Sequence, residues 1–299
     1  MKRPPPFRDE PVVTVARMPP PGPPIKESRV VYTGYYGRKA HHVRNSPAVR
    51  GASSMEINEL VSITQGTLAI MNPTTPEKVL AAGRAAGLRE GSRVVEVGCG
   101  NGTILALWGR EYGISGLGVE TREDACRRAE ETFRAAGLGG RLAVRCMDAR
   151  SYVPDEPFDC AASIGASHIR GGFSATLDAL IDLVHDEGTI VIGDRYWQSS
   201  RVPPDFAREW PEIPTEYELL GIVRDAGFDI AAVVRSSADD WDRYESGIWQ
   251  SILSWLGEHP DHPDRDFMVD YLHRIQDEYF GYGREHMGWA LYVLVPGFY

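Results

Sequence analysis

The residues best placed to do chemistry form a glycine-rich turn, Gly98-Cys99-Gly100-Asn101-Gly102, which follows an apolar run at 93–97. Glycine lets the backbone approach a ligand closely, and the helix predicted to begin near Thr103 offers unpaired N–H groups with a partial positive charge. A dinucleotide fingerprint needs another glycine at Thr103, and a P-loop needs Gly-Lys-Ser/Thr, so neither pattern is present. What remains is an acidic residue, Glu96, two positions before a Gly-x-Gly-x-Gly motif.

Further polar residues follow the next predicted strands. Glu120 ends the second strand, Asp148 and Ala149 follow the third, and Ser163 lies near the carboxyl end of the fourth. A carboxylate has two oxygens that can accept hydrogen bonds from a pair of hydroxyl groups. Ligands of open parallel sheets bind beyond the carboxyl ends of the strands, so we expect these residues to lie around one ligand.

These features in register resemble the class I S-adenosylmethionine (SAM) dependent methyltransferases, and the resemblance extends from about residue 72 to residue 240. It implies SAM as the cofactor, with Glu120 on the ribose hydroxyls and Asp148 near the adenine amino group. The cofactor-binding residues that it implies are Glu96, Gly98, Cys99, Gly100, Asn101, Gly102, Glu120, Thr121, Asp148, Ala149 and Ser163.

Four short motifs resemble a narrower group, the small stand-alone bacterial methyltransferases whose substrates are mostly unassigned. They are Asn72-Pro73, the segment 165–168 (GASH), the segment 194–197 (DRYW) and the segment 241–244 (WDRY). The basic, proline-rich arm at 1–50 goes beyond this resemblance, so its role is not implied by the family.

Methyl transfer from a sulfonium is an in-line displacement, in which the protein mainly aligns the nucleophile, the methyl carbon and the sulfur. A hydroxyl, ammonium or acidic C–H acceptor also needs a base. His168, just beyond the fourth strand, is our candidate base, the alternative being a loop histidine bonded to the backbone. Tyr196, just beyond the fifth strand, is the second catalytic candidate; with Asp194 and Trp197 we expect it to face the cleft, and packing is the alternative.

We expect no metal site. His259 and His262 flank a proline turn without an acidic or thiol partner at ligand spacing, and the four cysteines show no Cys-x-x-Cys spacing. The absence of a disulfide framework favours a reducing cytoplasm. No apolar run approaches 18 residues and the chain starts without an apolar signal segment, so neither a membrane span nor secretion is expected.

The acceptor is expected to be a small metabolite or natural-product intermediate. The Asn/Asp-Pro-Pro-aromatic motif of base and glutamine methylation is missing after strand four, where the sequence reads Ser163-Ile164-Gly165-Ala166. Residues 1–50 carry ten Lys/Arg and three Asp/Glu, about +7, while the whole chain carries −10. The acidic charge of the remaining chain disfavours nucleic acid as a partner. The basic arm leaves open an acceptor that carries a carboxylate or a phosphate.

Two alternatives remain at this point. The arm at 1–50 could grip a macromolecular acceptor, or the chain could be a non-catalytic regulatory protein that binds SAM. A homo-oligomer is equally open.

The elements that must position these residues alternate between strand and helix. Strands are predicted at 93–97, 116–120, 141–146, 158–164, 188–193, 228–235 and 289–295. The alternation predicts an α/β fold: a Rossmann-like, seven-stranded, mostly parallel sheet with helices on both faces. We divide the chain into an arm or lid at 1–50, a SAM-binding core at 51–240, a helical insertion or cap at 241–286 and a terminal core strand at 287–299.

Overall fold

The computed structural model describes residues 55–298. Its strands are β1 Arg93–Val97, β2 Ser115–Glu120, β3 Leu142–Cys146, β4 Phe158–Ile164, β5 Val184–Trp197, β6 Phe228–Arg235 and β7 Met287–Pro296. Its α-helices are α1 Ile57–Gln65, α2 Pro76–Ala85, α3 Thr103–Tyr112, α4 Glu123–Ala135, α5 Phe173–Ile181, α6 Pro204–Glu209, α7 Glu216–Asp225, α8 Ala238–Glu258, α9 Arg265–Glu278 and α10 Arg284–His286. The structure also contains short 3₁₀ turns at Ala149–Ser151 and Ser167–Ile169 and a π-helical turn at Tyr279–Gly283.

The strands form one seven-stranded sheet in the order β3-β2-β1-β4-β5-β7-β6. Neighbouring strands are parallel from β3 to β5, whereas β7 runs antiparallel to β5 and β6. The predicted Rossmann-like fold is confirmed. Because β1 pairs with β2 on one side and with β4 on the other, the strand order reverses at β1, and ligands of such sheets bind at this switch point.

Hydrophobic side chains pack on both faces of the sheet. One buried cluster joins the sheet to side chains of α2, α3, α8 and α9. A second cluster joins the opposite face to α5 and α7. Strand β5 contributes to both, since Val191 belongs to the first cluster and Ile190 and Ile192 to the second, as strand alternation requires.

Local signals in the sequence place several helix ends correctly. Thr75 caps α2 by accepting a hydrogen bond from the Lys78 N–H at 3.3 Å, with proline at the first helical position. Thr215 and Glu218 form the predicted capping box at the start of α7.

Strand β5 is longer than the sequence predicts. We expected residues 188–193, but the strand runs from Val184 to Trp197. Its carboxyl half pairs with β7 as far as Trp197 opposite Met287. The extension beyond residue 193 pairs with a strand that follows much later in the chain, so local sequence patterns could not reveal it.

The division into arm, core, insertion and terminal strand stays a prediction, and the arm at 1–50 lies outside the described residues. Within residues 55–298, α8 and α9 occupy most of the segment between β6 and β7. No helix in this range is both long enough and apolar enough to span a bilayer.

Candidate functional site

A cavity of about 350 Å³ lies at the carboxyl ends of β1, β2, β4 and β5. Its volume is at the lower end of the ~300–1,000 Å³ typical of small-molecule sites. Its lining combines the glycine turn after β1, residues 120–122 after β2, the turn after β4 and side chains from α1, β5, α8 and β7. The site therefore forms at the switch point of the sheet.

The glycine turn is shaped by close packing. Gly98 and Gly100 have φ angles of +73° and +53°, in the left-handed region that favours glycine. A Cβ on Gly98 would lie 2.4 Å from Ala166 Cβ, and one on Gly100 would lie 2.1 Å from Met71 Cε. The turn thus lies directly against the segments that border the cavity on either side.

Two asparagine side chains hold the segment after α1 in place. The Asn101 amide donates hydrogen bonds to the carbonyls of Leu68 at 3.2 Å and Ala69 at 3.1 Å. The Asn72 amide donates to the carbonyl of Ile164 at 3.1 Å. These bonds tie this segment to the turns after β1 and β4.

Two buried carboxyl groups line the cavity. Glu120 Oε2 accepts the Gly100 N–H at 3.0 Å, and its Oε1 accepts the N–H groups of Thr121 and Arg122, each at 2.9 Å. Glu96 is 1 % exposed, and within residues 55–298 its Oε2 has no hydrogen-bond partner. Burial, and secondarily the charge of Glu120, raise the pKa of Glu96 well above its usual value. A cation bound beside the pair would reduce this repulsion.

His168 lies in the 3₁₀ turn Ser167–Ile169 and lines the cavity. The buried hydroxyl of Ser167 donates to Asp194 Oδ2 at 2.5 Å, and Asp194 Oδ1 accepts the Arg195 N–H at 2.7 Å. Burial raises the pKa of Asp194, although the charge of Arg195 acts in the opposite direction. The turn that carries His168 is therefore anchored to the end of β5.

Another part of the cavity lining is mainly apolar and aromatic. Trp241 and Tyr244 come from α8, Trp289 comes from β7, and Ile57 and Val61 come from α1. Such a wall excludes water and offers ring faces to a ligand.

Known proteins share this architecture. The methyltransferase domain family model matches residues 94–188. The uncharacterized protein YjhP of Escherichia coli (strain K12) is 31 % identical over 253 residues, which cover 81 % of this chain and 99 % of YjhP. A SAM-dependent methyltransferase of Geobacter sulfurreducens, solved with S-adenosyl-L-homocysteine (SAH), is 33 % identical with a TM-score of 0.74, covering 79 % of this chain and 97 % of that one. A second SAM-dependent methyltransferase solved with SAH, from Thiobacillus denitrificans, is 31 % identical with a TM-score of 0.76. The match covers 81 % of this chain and 100 % of that one.

The chain belongs to the SAM-dependent methyltransferases. It is therefore an enzyme and not a non-catalytic regulatory protein, and its cofactor is SAM. The site of this methyltransferase fits that cofactor, because a sulfonium and an ammonium group suit an end of the cavity where the buried Glu96 carboxylate lies beside Glu120.

Most of the predicted cofactor residues lie together. The cavity is lined by Glu96, Gly98, Cys99, Gly100, Asn101, Glu120 and Thr121. Asp148 and Ala149 line an adjoining narrow hollow, which shares Gly98, Glu120 and Thr121 with the cavity. Gly102 forms the N-cap of α3 and packs beneath the turn, where a Cβ would lie 2.6 Å from the Phe133 ring.

Ser163 and Tyr196 do not line the cavity. Ser163 is fully buried one residue before Ile164, on the opposite face of β4. Tyr196 lies opposite Gly288 in the β5–β7 register; its hydroxyl accepts a hydrogen bond from Arg235 Nε at 3.3 Å. The glycine leaves room for the ring to cross towards β6, so the expectation that Tyr196 faces the cleft is corrected. Trp197 likewise packs against Phe206 instead of facing the cleft.

The sequence analysis did not predict that Arg122, Trp289 and side chains of α1 line the cavity. Arg122 Nε lies 3.8 Å from Glu120 Oε1. The available signal was its position two residues after Glu120, the acid expected at the ribose. Trp289 pairs with Arg195 in the β5–β7 register, which only the antiparallel pairing reveals.

Proposed function

We propose that this methyltransferase transfers a methyl group from SAM to a small-molecule acceptor in the same cavity, with His168 as the general base. When bound, SAM supplies a methyl group on a positively charged sulfur. The observation that carries the proposal is that one cavity is lined by the buried carboxylates, by His168 and by aromatic side chains.

At the cofactor end, the proposed roles follow from charge and hydrogen-bonding capacity. Glu120 is fixed by three backbone N–H groups, which orient its carboxylate for a pair of ribose hydroxyls. A bound cation would lower the pKa of Glu96, whose carboxylate then balances the cationic part of the cofactor. Asp148 and Ala149 lie beside Glu120 and Thr121, on the side of the cavity proposed for the adenine ring.

At the acceptor end, His168 accepts the proton that the acceptor loses. A base in this position contributes ~10²–10⁴-fold to the rate. The aromatic side chains of Trp241, Tyr244 and Trp289 hold the acceptor and exclude water, so that orientation does most of the remaining work.

A small acceptor is favoured over a macromolecule by two observations. The cavity of about 350 Å³ has to hold the cofactor as well as the acceptor. The chain outside residues 1–50 is strongly acidic, because the −10 of the whole chain includes the basic arm. Because residues 1–50 are basic, the proposal includes acceptors that carry a carboxylate or a phosphate group.

The test uses SAM with an isotope-labelled methyl group. The full-length enzyme is incubated with this SAM and an extract of the source organism, and the extract is then separated into small-molecule and macromolecular fractions. The proposal predicts enzyme-dependent label in the small-molecule fraction. Label confined to protein or RNA would contradict it and favour the macromolecular alternative.

A further inference from the structure

Two cysteines lie beside the cofactor end of the cavity without lining it. Cys126 is buried in the first turn of α4, and Cys146 is the exposed last residue of β3. The parallel register places Cys146 opposite Glu120, the last residue of β2. Both thiols therefore lie behind the strand end that presents Glu120 and Thr121 to the cavity.

Each thiol contacts the backbone of one of these two residues. Cys126 Sγ donates to the Glu120 carbonyl at 3.5 Å, and Cys146 Sγ donates to the Thr121 carbonyl at 3.9 Å. The two thiols therefore lie beside carbonyls of consecutive residues. Burial, with a smaller contribution from the neighbouring Cys146, raises the pKa of Cys126 to about 12.

The four cysteines of the chain differ in reactivity. Cys99, Cys126 and Cys160 are buried, whereas Cys146 is exposed. Burial raises the pKa of Cys99, Cys126 and Cys160, so none of these three thiols is the first to react with a reagent in solution. Cys146 is thus the thiol that can react first with a reagent in solution, and Cys126 is its neighbour.

We propose that Cys146 and Cys126 form a thiol-modification site, in which reaction with a low-molecular-weight disulfide links the two residues and weakens SAM binding. The Cys146 thiolate attacks one sulfur of the small disulfide, whose S–S bond breaks, and one small thiol leaves with the bonding electron pair. Cys126 then loses its proton to solvent and attacks the Cys146 sulfur, which releases the second small thiol. Two protein thiols are oxidised, and one small disulfide is reduced to two thiols.

The link would act on the cofactor end through the backbone. It removes the two S–H donors from the carbonyls of Glu120 and Thr121 and draws the start of α4 towards the end of β3. Because Glu120 and Thr121 line the cavity, their displacement should lower the affinity for cofactor. Couplings of this kind typically change affinity by ~5–150-fold, and we expect about tenfold.

The test treats the full-length protein with oxidised glutathione. Free thiols are counted, the link is mapped by mass spectrometry of proteolytic fragments, and SAH binding is measured by calorimetry. We expect the loss of two thiols, a fragment joined through Cys126 and Cys146, and about tenfold weaker SAH binding that dithiothreitol restores. The substitution Cys146→Ser should abolish the response, whereas Cys160→Ala, which keeps both thiols of the pair, should retain it.

Two outcomes would overturn the proposal. One is glutathione attached to Cys146 with no Cys126–Cys146 link. The other is a link that forms and leaves SAH affinity unchanged. Since Cys146 is exposed, its serine variant tests the proposal even if a substitution at the buried Cys126 prevents folding.

Discussion

The proposed cofactor end and the proposed acceptor end of the cavity are built from the chain in different ways. The cofactor end comes largely from one continuous β-α-β unit, in which Glu96, the glycine turn and Glu120 follow one another. The acceptor end combines side chains of α1, β5, α8 and β7, which are far apart in the sequence. A ligand site made by one supersecondary unit leaves a local motif, whereas a site assembled by tertiary packing does not.

The largest expected effect concerns the cofactor end. Glu120→Ala removes a buried carboxylate that accepts three N–H groups and leaves those donors without their acceptor. At ~1.5–3 kcal/mol for a hydrogen bond to a charged group, we expect SAH affinity to fall about 10³-fold. Calorimetry checks this, with the exposed Glu131→Ala as a matched control in the neighbouring helix. Equal SAH binding by the Glu120→Ala variant and the wild type would remove Glu120 from the cofactor site.

The next prediction separates methyl transfer from cofactor binding by changing His168. His168→Asn should lower methyl transfer by at least ~10²-fold, because the base is lost, while SAH affinity stays within about threefold of the wild type. The rate is followed by transfer of labelled methyl to the small-molecule fraction. His273→Asn, an exposed position on α9, is the control and should keep full activity. Undiminished transfer by the His168 variant would exclude it as the base.

A third substitution, at Gly165, tests the packing of the turn that follows β4. Gly165 has a φ angle of +75°, and a Cβ there would lie 1.8 Å from Asn72 Oδ1. Gly165→Ala should therefore lower the free energy of unfolding by about 2 kcal/mol, from backbone strain and displacement of Asn72. Gly139→Ala, where the added Cβ meets nothing within 4 Å, should change it by less than about 0.5 kcal/mol. Equal unfolding midpoints in urea for both variants would contradict this account of the turn.

The smallest effect is a dependence on pH. The raised pKa of Glu96 means that the folded state keeps a proton that the unfolded chain has lost above its usual pKa of 4.5. The free energy of unfolding should therefore decrease as the pH rises from 4.5 towards the folded-state pKa. Glu96→Gln cannot ionise, so its unfolding free energy should decrease less over the same range. Urea unfolding between about pH 5 and pH 8 measures the difference, and parallel slopes would contradict burial as the cause.

Features set by neighbouring residues could be predicted from the sequence, whereas features set by tertiary packing could not. The glycine turn, Glu120 and the capping residues Thr75 and Thr215 are recognisable because each acts within a few residues of itself. The direction of Tyr196 was mispredicted because it depends on Gly288, the residue opposite on an antiparallel strand. Trp289 was missed for the same reason, since its place beside Arg195 is set by sheet pairing. The place of His168 on the cavity lining could be predicted because the turn after a parallel strand lies at the ligand edge of the sheet, whereas its role as the base stays a prediction.

The central claim is that one cavity holds the cofactor and the acceptor, with His168 beside the transferred group. A crystal structure of the full-length protein with SAH bound tests it most directly. The account predicts the ribose at Glu120, the adenine in the hollow beside Asp148 and the sulfur turned towards His168 and the aromatic wall of Trp241 and Trp289. SAH bound with its sulfur directed away from His168, or bound outside this cavity, would contradict it.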